Sequence, residues 1–184
     1  PRSTLSSSSA ASDVYKRQYL DGEDIKVASD VGPGNCLIDL VAMRDFGIPY
    51  DEDGKIAASG QIDYQLLHSL LDKIRTKGYP RADDKSYYYN LDELKSDKPE
   101  NLLATLCELT ALCISDFCHS FDLPGEILLH GGGTKNNYVM ERLEKSIGSS
   151  FRLTDHLIPS KFVESAAFAY LAYLKRGLLV DPRR

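Results

Sequence analysis

The sequence has no uninterrupted apolar run of the roughly 18 residues that a membrane-spanning helix needs, so we do not expect a membrane protein. It also lacks an excess of basic residues. The formal net charge of −5 argues against a nucleic-acid-binding surface, but leaves room for a local cationic pocket for phosphate. The 42% hydrophobic and 27% charged residues are typical of a soluble globular protein, and 184 residues allow one domain with a real core.

The four cysteines lack the tight spacing of structural zinc sites. They are Cys36, Cys107, Cys113 and Cys118. Buried apolar thiols are the favoured interpretation and a metal site the less favoured one, so we assign no metal ligand. Nothing indicates a disulfide framework, which predicts a reducing, cytoplasmic location.

Residues 1–18 are rich in serine and poor in large apolar side chains. They lack the apolar core of roughly 7–15 residues that a signal peptide carries, so export is not indicated. Because such a segment buries too little surface to offset its ordering entropy, we predict disorder. The segment is similar to translated adapter sequence, which indicates a non-native addition. We therefore expect the domain to comprise residues 19–184 and the natural chain to extend upstream.

The remainder alternates short strands with helices, which predicts an α/β domain with parallel pairing. Residues 87–89, three tyrosines, are expected to form an extended surface segment or a partner contact, because three adjacent side chains cannot share one helix face. The strand count is low, so the sheet is expected to be small and incomplete. We predict strands at 25–29, 126–130 and 151–154, and helices at about 36–47, 66–74, 101–117, 139–147 and 162–175.

Two strand-to-helix junctions are rich in glycine, at residues 30–35 and 131–136. Glycines allow the backbone to approach a ligand closely, and the following helix offers unpaired N–H groups to an anion. Neither junction matches a P-loop or the G-x-G-x-x-G pattern, so each is either a nucleotide or phosphate site or a tight turn. Asp30 could orient a metal-bound water or a substrate hydroxyl. Alternatively it caps a helix or stabilises the turn.

Five collinear segments together resemble the anhydro-N-acetylmuramic acid kinase family over about residues 20–176. Residues 30–39 are similar to its D-T-G-P-G-N-x-L-x-D segment, and residues 50–60 to the segment that follows. Residues 104–111 match its long helix. Residues 131–136 resemble its G-G-G-x-x-N loop, and residues 164–172 its closing E-A-L-A-F-A-x-L-A helix.

The resemblance implies the C-terminal domain of an actin-like (ribonuclease H-like) sugar kinase, helix-rich with a small sheet. Such enzymes bind ATP with Mg²⁺ between two domains, hydrolyse the 1,6-anhydro bond of the sugar and phosphorylate its O6. It also implies a sugar substrate, no nucleic acid or membrane partner, and a homodimer as a further expectation.

The family's site residues transfer onto two groups of positions. The nucleotide-binding group is Gly131, Gly132, Gly133, Thr134 and Asn136. The group around the phosphate and sugar is Asp30, Gly32, Gly34, Asn35 and Glu164. The last of these could instead be a first-turn glutamate favoured by the helix dipole. His130 could reach the nucleotide, but a histidine at a strand end is more often structural.

No catalytic residue is assigned within this chain. The family's N-terminal half carries its M-S-G-T-S-x-D-G phosphate loop and the aspartate that activates water, and neither is found here. Because phosphoryl transfer depends on positioning and charge stabilisation, we expect this chain to be inactive alone.

Two departures from the family pattern leave the acceptor sugar open. Val31 stands where the family has threonine, which removes a hydroxyl. Residues 85–90 read K-S-Y-Y-Y-N in place of a K-S-T-G-R-E-like stretch. The alternatives to a kinase fragment are a non-catalytic actin-like binding or assembly module, which both departures favour modestly, and a generic α/β domain with two tight turns.

Overall fold

The fold is a mixed five-stranded sheet with helices, seen in a computed structural model. The structure describes residues 3–7, 15–21, 24–76, 78–83, 85–89, 94–121, 126–148, 150–154, 158–159 and 162–174. The strands are β1 (Ser3–Ser7), β2 (Tyr15–Asp21), β3 (Asp24–Gly32), β4 (Glu126–Leu129) and β5 (Phe151–Leu153). Their order in the sheet is β3-β2-β1-β4-β5.

The helices are α1 (Cys36–Val41, continued as a π-helical turn to Phe46), α2 (Lys55–Ser59), α3 (Tyr64–Arg75), α4 (Lys85–Tyr89), α5 (Pro99–Ser120), α6 (Asn137–Ile147) and α7 (Val163–Leu174). Five of them lie where the apolar periodicity predicts them, and the short helices α2 and α4 were not predicted. Asp63 begins α3 by accepting the N–H groups of Gln65 and Leu66, both at 3.0 Å. Capping by a carboxylate in this way satisfies donors that a helix start otherwise leaves unpaired.

Helix α5 is the centre of the core. One apolar cluster packs its first half against α1 and α3, and a second packs its last half against β3, β4 and α6. By length and composition α5 could cross a membrane, although charged residues such as Glu108 interrupt its apolar sequence. However, 83% of its most apolar stretch is buried inside the fold, so it serves as a core helix.

Pairing within the sheet is parallel only in part. Strand β4 pairs in parallel with β1 and β5, as the alternation of strands and helices predicts. Strand β2, in contrast, pairs antiparallel with both β1 and β3. Because β2 reverses direction between them, β3 runs the same way as β1 and β4.

The structure differs from the prediction of disorder over residues 3–7 and 15–18. Ser3–Ser7 lies between β4 and β2, with Thr4 opposite Ile127 on one side and Tyr19 on the other. The physical reason is that strand edges must pair their backbone N–H and C=O groups, and a serine-rich backbone can do this whatever its side chains. Amino-acid composition reflects side-chain burial and carries no information on backbone pairing.

The prediction of an extended surface segment at residues 87–89 is wrong. These residues form the end of α4, and Tyr88 is completely buried. The rings of Tyr87 and Tyr88 meet edge to face, with centroids 5.2 Å apart, and Tyr89 is exposed. Three tyrosines therefore do not need to share one face: the short helix buries one and leaves the next at the surface.

Candidate functional site

The two glycine-rich junctions lie at the same edge of the sheet. Strands β3 and β4 run in the same direction, so their carboxyl ends, which lead into residues 33–35 and 131–133, reach one edge. Two strands separate them, which corresponds to about 15 Å at the usual strand spacing. In open α/β sheets this edge is where ligands bind.

The first junction packs closely on α5. A Cβ on Gly32 would lie 2.8 Å from the Cβ of Cys113, so only glycine permits this approach. Gly34 adopts a φ of 60°, and its carbonyl oxygen accepts the Thr110 hydroxyl at 2.9 Å. Asn35 then precedes the first residue of α1. Gly32 is thus required for the packing on α5, and Gly34 for the positive φ of the turn.

Val31 belongs to the hydrophobic core. Its side chain is completely buried, in the apolar cluster that contains Ile114 and Phe117. A threonine hydroxyl at this position would therefore point into the core. The departure from the family's threonine thus falls at a buried position.

Asp30 is a buried carboxylate at the end of β3. Its Oδ2 accepts the backbone N–H of Asp83 at 2.8 Å, and its own N–H donates to the carbonyl oxygen of Arg81 at 2.9 Å. The alternative that Asp30 caps the following helix is wrong, because Asn35 holds the cap position of α1. Its carboxylate is instead oriented by a segment 53 residues further along the chain.

The second junction is a short 3-10 turn, Gly132–Lys135. Gly131 has a φ of 98°, and its carbonyl oxygen accepts both the N–H and the hydroxyl of Thr134, at 3.2 and 2.7 Å. Gly131 and Gly133 are buried, whereas Gly132 is exposed and a Cβ there would meet nothing within 4 Å. Gly132 is therefore the exposed glycine of this junction, where a ligand could approach the backbone closely.

Asn136 performs a structural task inside the protein. It is buried, and its Oδ1 accepts the N–H of Val139 at 3.0 Å, which caps α6. Its amide nitrogen lies 4.0 Å from the sulfur of Cys107. A Cβ on Gly54 would be 2.2 Å from Oδ1 of Asn136, so the 50–60 segment also packs here. Helix α5 and the 50–60 segment, both distant in sequence from Asn136, thus meet at the second junction.

One turn of α5 connects the two junctions. The hydroxyl of Thr110 donates to Gly34 of the first junction. Cys107, three residues earlier on the same helix, contacts Asn136 of the second junction. Close by, the buried Glu108 carboxylate bonds the Nε of Arg142 on α6, and this bond raises the pKa of the arginine. Sequence reasoning missed Thr110 and Arg142 as supports. The family-like 104–111 segment was the available signal for Thr110, and it does not include Arg142.

The remaining predicted groups are Glu164 and His130. Glu164 is in the first turn of α7, as predicted, but its side chain lies outside the described residues. His130 is buried beside the second junction. Within the described part of the chain, no three His, Cys, Asp or Glu residues could hold a metal ion. A cavity of about 680 Å³ lies beside the C-terminal end of α5, lined by Arg75, Tyr79 and His119 among others.

All four cysteines are buried thiols outside any disulfide, which agrees with the interpretation as apolar thiols. Burial raises the pKa of Cys113 from 9.0 to about 12, and it also raises that of Cys107. A higher pKa lowers the thiolate fraction, and the thiolate is the reactive form. At pH 8 a chromogenic disulfide reagent should therefore modify the four thiols only as fast as the fold opens, and at once in denaturant. A thiol that reacts natively at the rate of an unstructured peptide would contradict this.

Comparison with known proteins identifies the family. A sequence model of the anhydro-N-acetylmuramic acid kinases matches residues 19–179. The chain belongs to the anhydro-N-acetylmuramic acid kinase family. This confirms the resemblance that the five segments carry, and it places the chain in a family of carbohydrate kinases.

Curated members of the family share about a third of the aligned residues. The anhydro-N-acetylmuramic acid kinase of Coxiella burnetii (strain Dugway 5J108-111) is 32% identical over 162 residues, which cover 83% of this chain and 43% of that protein. The protein of the same name from Pseudomonas savastanoi pv. phaseolicola is 36% identical over 155 residues, covering 78% and 42%. The chain thus spans less than half the length of these relatives.

The fold is shared with a solved structure of low sequence identity. Component A of (R)-2-hydroxyglutaryl-CoA dehydratase from Acidaminococcus fermentans aligns with 89% of this chain and 59% of its own, at 12% identity and a TM-score of 0.52. At that identity the likeness concerns the fold alone. The predicted class, an α/β domain of the actin-like type, is confirmed.

Proposed function

We propose that this chain is the C-terminal domain of an ATP-dependent sugar kinase. The whole enzyme would hydrolyse the 1,6-anhydro bond of anhydro-N-acetylmuramic acid, or of a related amino sugar, and phosphorylate its O6. The observation that carries the proposal is that the two glycine-rich junctions of this chain, a member of a kinase family, lie at one edge of the sheet. A cytoplasmic location and a homodimer belong to the same proposal.

The two junctions would divide the substrates between them. The open backbone at Gly132 would face the adenosine side of the nucleotide, since no side chain there blocks a close approach. The first junction, with Gly34 and Asn35, would lie near the phosphates and the sugar. The separation of about 15 Å allows two ligand groups to bind side by side at this edge.

Asp30 would orient the reacting sugar or water. It is the buried carboxylate at this edge whose direction is set by a backbone N–H bond. When bound, Mg²⁺ would neutralise the phosphate charge that develops during transfer. Half of a cleft supplies little of this positioning, so we expect the chain alone to bind ATP weakly and to show no turnover.

Nucleotide binding tests the proposal directly. Calorimetric titration of the 184-residue chain with ATP and Mg²⁺ should show weak, saturable binding. Gly132→Asp should abolish it, because the added side chain would occupy the open approach that the adenosine side of the nucleotide needs. Gly78→Asp is the matched control: a side chain there also meets nothing within 4 Å, but it lies beside the cavity at the far end of α5.

The outcomes separate the proposals. Equal loss of binding in both variants would indicate a charge effect without a site. Absence of binding in the unchanged chain at millimolar ATP would contradict a nucleotide site and favour a non-catalytic actin-like module. Phosphorylated sugar formed by the chain alone would contradict only its expected inactivity.

A further inference from the structure

A buried polar cluster lies against Asp30. It consists of Arg81, Asp83 and Tyr88, and we call it the Asp83 cluster. The side chains of Arg81 and Asp83 are 6% and 1% exposed, and Tyr88 is completely buried. Charged groups are rarely buried this fully unless their partners are well arranged. The described residues supply such partners.

Arg81 ties this segment to the end of β3. Its guanidinium donates to the carbonyl oxygens of Ile74, at 2.8 Å, and of Val31. Its backbone N–H donates to the hydroxyl of Ser29 at 2.9 Å, and its carbonyl oxygen accepts the N–H of Asp30. The segment therefore lies beside the last residues of β3 in a single register.

Asp83 is held from two sides. Its Oδ2 lies 2.9 Å from Nε of Arg81 and also accepts the hydroxyl of Tyr88. Burial, together with this hydrogen bond, raises the pKa of Tyr88 far above its usual value, so the hydroxyl remains a donor at every physiological pH. With its side chain held in this way, Asp83 donates its backbone N–H to Oδ2 of Asp30 at 2.8 Å.

We infer that Arg81, Asp83 and Tyr88 are positioning residues that set the direction of the Asp30 carboxylate. This rests on the proposed function, in which Asp30 orients the reacting sugar or water. The chain of contacts runs from the Tyr88 hydroxyl through Asp83 to Asp30. Tyr88 belongs to the stretch where this sequence departs from the family's K-S-T-G-R-E pattern. The departure therefore supports the site.

The neighbouring tyrosine provides a matched control. The hydroxyl of Tyr87 donates to the carbonyl oxygen of Lys73 at 3.3 Å, on an exposed side of α4. Tyr87→Phe and Tyr88→Phe each remove one hydroxyl from adjacent residues of the same helix, but only Tyr88→Phe removes a donor to Asp83. Any difference between the two variants then reports on the Asp83 cluster.

Two NMR readouts on the complete chain test the inference. They are the ¹³C resonance of the Asp30 side-chain carboxyl, assigned by its loss in Asp30→Asn, and the hydrogen exchange of the Asp83 amide. Tyr88→Phe should shift the resonance and speed the exchange about tenfold, because a hydrogen bond to a charged group is lost. Tyr87→Phe should change neither. Unchanged readouts in Tyr88→Phe, or equal changes in both variants, would overturn the inference.

A second variant keeps the test decisive if Tyr88→Phe does not fold. Arg81→Lys retains the charge but cannot contact Val31, Ile74 and Asp83 together, so it should produce the same two changes. Failure of the unchanged chain to bind ATP would refute the proposed function and leave these NMR readouts as they are. The two proposals can thus fail separately.

Discussion

Gly60→Ala should be among the most destabilising single substitutions in this protein, lowering the free energy of unfolding by about 3 kcal/mol or more. Gly60 ends α2 where the chain passes the start of α5. A Cβ at this position would lie 2.1 Å from the carbonyl oxygen of Glu100 and 2.5 Å from its carbonyl carbon. Because these are backbone atoms of a core helix, the contact cannot be relieved by a side-chain rotation. Urea denaturation followed by circular dichroism measures the effect.

Gly78→Ala is the control for this prediction. The same methyl group there meets nothing within 4 Å, so the unfolding free energy should change by less than about 0.5 kcal/mol. If the two alanine variants unfold at the same urea concentration, the close approach of Gly60 to α5 is not a feature of the folded protein.

Phe117→Ala should lower the unfolding free energy by about 3–5 kcal/mol. Phe117 is completely buried, and its ring meets Tyr79 edge to face at 5.2 Å and Phe121 at 5.0 Å between centroids. Truncation leaves a cavity between α5 and the end of β3 and forfeits both ring contacts. The melting temperature and the urea midpoint should both fall.

Tyr64→Ala is the matched surface truncation. Tyr64 begins α3 and is 58% exposed, so its removal should change the unfolding free energy by less than about 0.5 kcal/mol. A Phe117→Ala variant as stable as Tyr64→Ala would contradict the assignment of Phe117 to the core.

Helices and strands with strong periodicity were predictable because their pattern is local. Apolar residues at helical spacing placed α3, α5 and α6, and α5 is as buried as its apolar composition requires. The glycine-rich junctions were also recognisable, since a strand followed by glycines and a helix restricts the backbone. Each of these inferences uses residues within about one helix length of one another.

The errors arose where distant segments decide the structure. The serine-rich N-terminal residues pair as strands because sheet edges need backbone partners, which composition does not reveal. Tyr88 is buried because it packs in the apolar cluster formed by α1, α3 and α5, and Val31 because it packs against α5. Residues with the same local preference can therefore lie inside or at the surface.

The candidate site shows the same division. The motifs identified the family and both glycine junctions, because a required backbone conformation restricts residue type at each position. They did not reveal that Thr110 and Cys107 on α5 connect the junctions, or that Asp83 directs Asp30. Those contacts join residues 29 to 76 positions apart. Such pairs depend on how the helices and the sheet pack, and packing is a property of the whole fold.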